Sequence, residues 1–104
     1  PRRFRLRTLV ERGFGVIGCS DSTGSIPDGI APLFNVACAV TRRTVGGNTY
    51  LPEEALTVDQ ALRLFTVGPA YGGFEEHVKG SLEVGTARYA MSSLLVFPKA
   101  KRSW

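Results

Sequence analysis

Gly15-Val16-Ile17-Gly18-Cys19-Ser20-Asp21 is a short apolar run that stops at a carboxylate, and Ser22-Thr23-Gly24-Ser25 follows it as a polar loop. Val16 and Ile17 stand side by side instead of alternating with polar residues. That pattern predicts a strand from about Phe14 to Cys19, covered on both faces as in a parallel sheet. Such a strand delivers one acid, Asp21, to the rim of a sheet or barrel. In α/β folds ligands gather at the carboxyl ends of parallel strands, so the rim is where chemistry sits. On its own, an Asp after a strand is more often an ordinary turn or cap residue. The rest of the chain has to decide between the two.

Upstream, residues 3–12 have the spacing of a short amphipathic helix, with Leu6, Leu9 and Val10 on one face and Arg5, Arg7 and Arg12 towards water. Gly13 follows, where a left-handed cap is favoured. Downstream, Ser22–Gly29 reads as a loop. A helix is predicted from Pro32 to Arg43, with Leu33, Val36, Ala37 and Val40 on its apolar face and Arg42 and Arg43 at the negative end of its dipole. Gly46-Gly47-Asn48 is the turning point of the next loop, and Pro52 precedes two acids.

Thr57-Val58-Asp59-Gln60 is a capping box. It opens a helix to about Val67 that buries Ala61, Leu62, Leu64 and Phe65. Gly68-Pro69 breaks it, and a short helix from Pro69 should end near Gly72-Gly73. Phe74 is expected to pack inward and Glu75-Glu76-His77 to be surface. Residues 79–85 read as turn, strand and turn, and Ala90–Phe97 as a strand. Helix, buried strand, acidic rim, loop and helix is the order of an α/β protein.

At 104 residues and 43% hydrophobic content the chain makes one globular domain. It has no apolar run of the roughly 18 residues a membrane span needs. It begins at Pro1 without an initiator Met or a signal-like segment, which suggests a sequence cut from something longer. The net charge of +4 raises a nucleic-acid reading. The basic residues, however, concentrate at the two ends, and no basic stripe is interleaved with aromatics, so nucleic acid is disfavoured as a partner. Cys19 and Cys38 lie in apolar segments; a structural disulfide is one reading, and two buried, reduced thiols of a cytoplasmic protein is the favoured one.

Seven short motifs recur in a familiar order. They are Leu9-Val10-Glu11-Arg12-Gly13, Gly18-Cys19-Ser20-Asp21, Ala39-Val40-Thr41-Arg42-Arg43 and Pro52-Glu53-Glu54, followed by Leu56-Thr57-Val58-Asp59-Gln60-Ala61-Leu62, Ala70-Tyr71-Gly72-Gly73-Phe74-Glu75 and Lys79-Gly80-Ser81-Leu82-Glu83-Val84-Gly85. Each is weak alone. Their order and spacing resemble the C-terminal part of the amidohydrolase superfamily, in its amidohydrolase family 3 branch.

The resemblance implies an α/β fragment: the last strand of a metal-dependent (β/α)8 TIM barrel plus the helices after it, with a short β segment at the end. Residues 1–85 would be the C-terminal part of that barrel. It implies hydrolysis of a C–N bond in a small non-peptide amide or cyclic amide, with a divalent metal, zinc being the expected ion. Asp21 matches the family's Asp at the end of the eighth strand, which binds the metal and accepts the proton of the attacking water. Ser22 and Thr23 are weaker candidates for substrate contact, the alternative being that they satisfy the loop backbone.

The family's early histidines have no counterpart here, and His77 does not match a ligand position. One carboxylate cannot hold a zinc ion, which takes about four ligands. The segment alone is therefore expected to bind no metal and to be inactive. It should also expose apolar surface and self-associate. Two other readings remain: a non-catalytic remnant or interaction module completed by another chain, and, less favoured, a small basic nucleic-acid-binding domain.

The resemblance fails at the end. Members carry Pro where Val84 stands and then Lys-x-Ala-Asp before an apolar strand, whereas Thr86–Leu94 does not match. Read one frame away, codons for Ala90-Met91-Ser92-Ser93-Leu94 can spell Asp-Val-Val-Val. Residues 86–104 are thus read as a divergent or frame-shifted tail replacing a β-sandwich strand. Sequencing the coding DNA should reveal an alternative frame that encodes Ala-Asp followed by Val- or Leu-rich residues. If neither alternative frame does so, the frame-shift reading is wrong.

Overall fold

The structure, a computed structural model, describes residues 3–21 and 28–85. Four helices run in order: α1 (Leu6–Glu11), α2 (Pro32–Thr41), α3 (Val58–Phe65) and α4 (Val67–Gly72), with a 3₁₀ turn at Pro52–Glu54 between α2 and α3. There is no strand among the described residues, only an isolated antiparallel bridge between Arg43 and Thr49. The expected α/β character is therefore not seen there: residues 14–19 and 79–85 both lack strand structure. A strand is defined by its hydrogen-bonded neighbours, and the described chain brings none to either segment. The expected loop at Ser22–Gly29 lies mostly outside the described residues, as do the strand at Ala90–Phe97 and the tail at 86–104.

The core sits between α2 and α3. Val36 and Ala39 of α2, Ala61 and Leu64 of α3, and Leu56 just before α3 are buried together. Leu6, Val10, Val16, Val40, Leu62 and Phe65 pack around them. Leu9 was expected on the buried face of α1, but it is exposed. With α1 only six residues long, Leu6 and Val10 (i, i+4) are the pair that reaches the core.

Each helix end has a local reason. Ala31 is extended, as the residue before a proline must be, and Pro32 starts α2. The Asn35 amide donates to the carbonyls of Gly29 and Ala31 at 2.9 and 3.0 Å, tying down that entry. Arg42 closes α2 in the left-handed conformation (φ 56°), its N–H donating to Cys38 O. Its guanidinium reaches two distant carbonyls, Phe4 O and Tyr50 O, both at 3.1 Å, and lies over the Tyr50 ring. The expected capping box is present: Gln60 N–H donates to Thr57 Oγ1 at 3.2 Å, and Thr57 N–H to Gln60 Oε1 at 3.0 Å. Asp59 in the first turn also pairs with Arg63 one turn on.

The break between α3 and α4 falls at Thr66, earlier than Gly68-Pro69 suggests. Pro69 has no N–H for the carbonyl of Phe65, and its ring would strike that carbonyl in a continuous helix. The chain therefore turns before the proline is reached, and Pro69 falls in the first turn of α4, where no donor is missed. Phe74, expected to pack inward, is 90% exposed after α4.

Helix α1 is too short to stand alone. Its own N-cap, Arg5, offers no side-chain bond. The cap comes instead from 46 residues away: Glu54 accepts from Thr8 N–H at 2.9 Å and from Thr8 Oγ1 at 2.5 Å, with Arg5 Nε 3.8 Å off. Glu54 is the buried charged residue of the described chain (5% exposed). A carboxylate at the first turn also suits the positive end of the helix dipole.

Thr57→Ala should cost about 1 kcal/mol of stability, the usual loss for an N-cap, read as a lower urea midpoint with an unchanged slope. Glu54 gives a pH signature. The Thr8 hydroxyl and then the Thr8 N–H hold its pKa below the ordinary 4.5, with Arg5 and Arg42 acting in the same direction. A carboxylate with a lowered folded-state pKa contributes stability above its unfolded value and loses it as pH falls through the folded one. The difference in urea midpoint between wild type and Glu54→Gln should therefore be full at neutral pH and shrink on acidification below about 4.5. A difference independent of pH would refute the assignment.

Candidate functional site

Asp21 ends the segment that leaves α1. Gly13 takes a left-handed conformation (φ 80°) just after the helix, which turns the chain back along its own end. Phe14 N–H then donates to Leu9 O at 3.1 Å, and Val16 N–H to Phe14 O at 3.0 Å. Gly18 N–H donates to Leu64 O at 2.8 Å, a carbonyl in the last turn of α3. That turn has carbonyls without helical partners. Thr66 Oγ1 takes Leu62 O, Thr66 N–H takes Arg63 O, and Gly18 takes Leu64 O.

The run is thus held at one side only. Val16 is half-buried against the core, while Phe14 and Ile17 are 61% and 51% exposed. The expected covering of both faces is not seen: Val16 packs on the core and Ile17 lies beside Gly72 of α4, yet Phe14 and Ile17 stay more than half exposed. Cys19, expected to be buried, is an exposed free thiol, and Cys38 is a half-buried one.

Asp21 itself is exposed and left-handed (φ 43°). Asp tolerates that region better than most residues because its short polar side chain can bond locally. Its side chain makes no part of the α2–α3 core. Ser22 and Thr23 lie outside the described residues. His77 is exposed on the turn after α4, 3.8 Å from Glu76.

Among the described residues no three His, Cys, Asp or Glu side chains come together in a way that could hold a metal ion. The donor set described therefore does not fit a metal centre by itself, and Asp21 offers it one carboxylate. Sequence reasoning noted Glu54 only as one of two acids after Pro52 and as part of a motif, and it gave no packing to Gly18. A Gly inside an apolar run signals close backbone approach, and that signal was available.

The amidohydrolase family matches residues 2–87. An N-substituted formamide deformylase of Arthrobacter pascens is 35% identical over 83 residues, which is 79% of this chain but 15% of that protein. The chain thus corresponds to a small part of the length of the curated relative it matches. No solved structure matches it. No helix among the described residues is long and apolar enough to cross a membrane. A match over most of the chain, through both the Asp21 segment and the α2–α4 core, makes this chain a member of the amidohydrolase family.

Proposed function

We propose that this chain is the C-terminal part of a (β/α)8-barrel hydrolase that cleaves C–N bonds of small non-peptide amides, cyclic amides included. In that barrel residues 14–21 would form the final strand and Asp21 would face the substrate. The observation that carries the reading is the exposed carboxylate of Asp21 at the end of an apolar run inside the matched region. The name of the Arthrobacter pascens relative suggests N-substituted formamides as the first substrates to test.

In this reading Asp21 is a ligand of a divalent metal, zinc being the proposed ion, whose other ligands come from outside the described residues. Asp21 also accepts the proton of the attacking water. A carboxylate placed to take that proton contributes typically 10²–10⁴-fold in rate. The oxygen of water bonds to the amide carbon, the C–N bond breaks, and the proton ends on the departing amine. Ser22 and Thr23, next to Asp21, are proposed to contact substrate. The free thiols at Cys19 and Cys38 are in keeping with a cytoplasmic setting.

A second reading has its own support. Phe14, Ile30, Leu33, Tyr71 and Leu82 are large apolar residues left exposed. They suit a module completed by another chain, with no chemistry of its own.

Asp21→Asn in the longer protein carrying this segment should lower kcat on N-substituted formamides by roughly 100-fold or more. Wild-type rates in that variant would exclude the catalytic role and favour the interaction module. The 104-residue chain alone should show neither stoichiometric zinc nor amide hydrolysis. Finding both would overturn the view that its site is completed from elsewhere.

A further inference from the structure

We infer that Gly68 and Gly18 are positioning residues for Asp21: they let the α3–α4 corner grip the backbone at Val16–Gly18 and so set where the segment presents its carboxylate. The catalytic part of this inference rests on the hydrolase reading above; the grip itself does not.

Two close approaches hold the segment, and both run through glycine. A Cβ on Gly68 would lie 2.7 Å from Val16 O and 3.3 Å from Arg63 O. Both are backbone atoms and neither can swing aside, so any larger residue must push α4 off the segment. A Cβ on Gly18 would lie 2.6 to 2.9 Å from three ring atoms of Phe65, the last residue of α3. With the Gly18 N–H bonded to Leu64 O at 2.8 Å, the backbone at Gly18 is pinned between the end of α3 and that ring.

Gly72 differs. Its Cβ would meet only the tip and Cγ1 of the Ile17 side chain, which is 51% exposed and free to change rotamer. Gly72 is not part of the grip. Only two residues, Cys19 and Ser20, separate the pinned glycine from Asp21. A shift of the α3–α4 corner is therefore passed to the carboxylate with little chain to absorb it. A displacement of about 1 Å at a reacting group can cost 100-fold in rate.

The test uses the longer protein carrying this segment, with amide exchange over residues 14–21 and kinetics on N-substituted formamides read in parallel. Gly68→Ala should speed exchange across 14–21 and lower kcat at least tenfold, with KM within about twofold. Gly72→Ala should leave both near wild type. Gly18→Ala should behave like Gly68→Ala, and Phe65→Leu should restore it in the double variant by removing ring atoms from the path of the new methyl.

The size swap keeps the inference testable if Gly68→Ala does not fold. Unchanged exchange in Gly68→Ala, equal effects from Gly72→Ala, or no rescue by Phe65→Leu would overturn it. If exchange responds as expected while Asp21→Asn keeps full activity, the grip stands and the catalytic reading of Asp21 falls.

Discussion

The contact between Glu54 and Thr8 is the constraint on which the arrangement of the site segment depends. Six residues cannot hold a helix in water, and α1 has no cap of its own. The Glu54 carboxylate takes two donors from one residue of the first turn and places its charge at the positive end of the dipole. Arg42 fixes the chain just before the helix by donating to Phe4 O. The direction in which α1 leaves towards residues 14–21 is therefore set by the loop after α2. Burying a carboxylate is tolerable here because the Thr8 hydroxyl, the Thr8 N–H and Arg5 all face it. A loss of charge at Glu54 would release α1 and, with it, the start of the segment that ends in Asp21.

The far end of that segment is set by a different element. The α3–α4 break exists because Pro69 forbids a straight helix, and the break leaves the last carbonyls of α3 in need of donors. Thr66 satisfies two of them and Gly18 the third. One proline thus creates the acceptor that pins the backbone near Asp21. Both anchors of the segment come from residues more than 30 positions later in the chain, so residues 14–21 alone can signal a close approach at Gly18 but not name its partner.

This division explains how much was legible in the sequence. Helices α2 and α3 were, because their signals are local: Pro32 at a first helical position, the Thr57–Gln60 box, apolar spacing at Val36 and at Ala61 and Leu64. The capping box was readable down to its atoms. The break before α4 was readable within three residues, since Gly68-Pro69 shows that a break is needed but not which bond turns. Leu9, Leu33, Ala37 and Phe74 were misplaced because apolar character and spacing alone do not say which positions meet another element. Glu54 was missed since its partner lies 46 residues away. The strand at 14–19 was expected from composition, but strand structure belongs to a pair of chains and composition names only one of them. Asp21 was legible as a candidate because the run and its acid are contiguous; the described residues bring no group of three metal-ligating side chains together around it.

The exposed side chains connect these points. Phe14, Ile17, Ile30 and Leu33 are each more than half exposed, and burying a side chain of this size contributes roughly 1.5–3 kcal/mol. Together they amount to several kcal/mol, on the scale of the whole stability of an ordinary domain, about 5–15 kcal/mol. A wall laid over Phe14 and Ile17 would also offer hydrogen-bond partners to the backbone of residues 14–21, which has bonds to α1 and α3 but no described strand beside it. The two effects act on the same residues. Covering Phe14 and Ile17 would remove apolar surface from water while pairing the peptide groups between them, so strand formation and burial would occur in one step. The same step would close off solvent around Asp21, where a carboxylate that is only a polar end in the open chain gains a fixed position and a drier setting. In the barrel proposed above, the apolar run would be the strand so covered, with the close contacts of Gly18 and Gly68 beneath it.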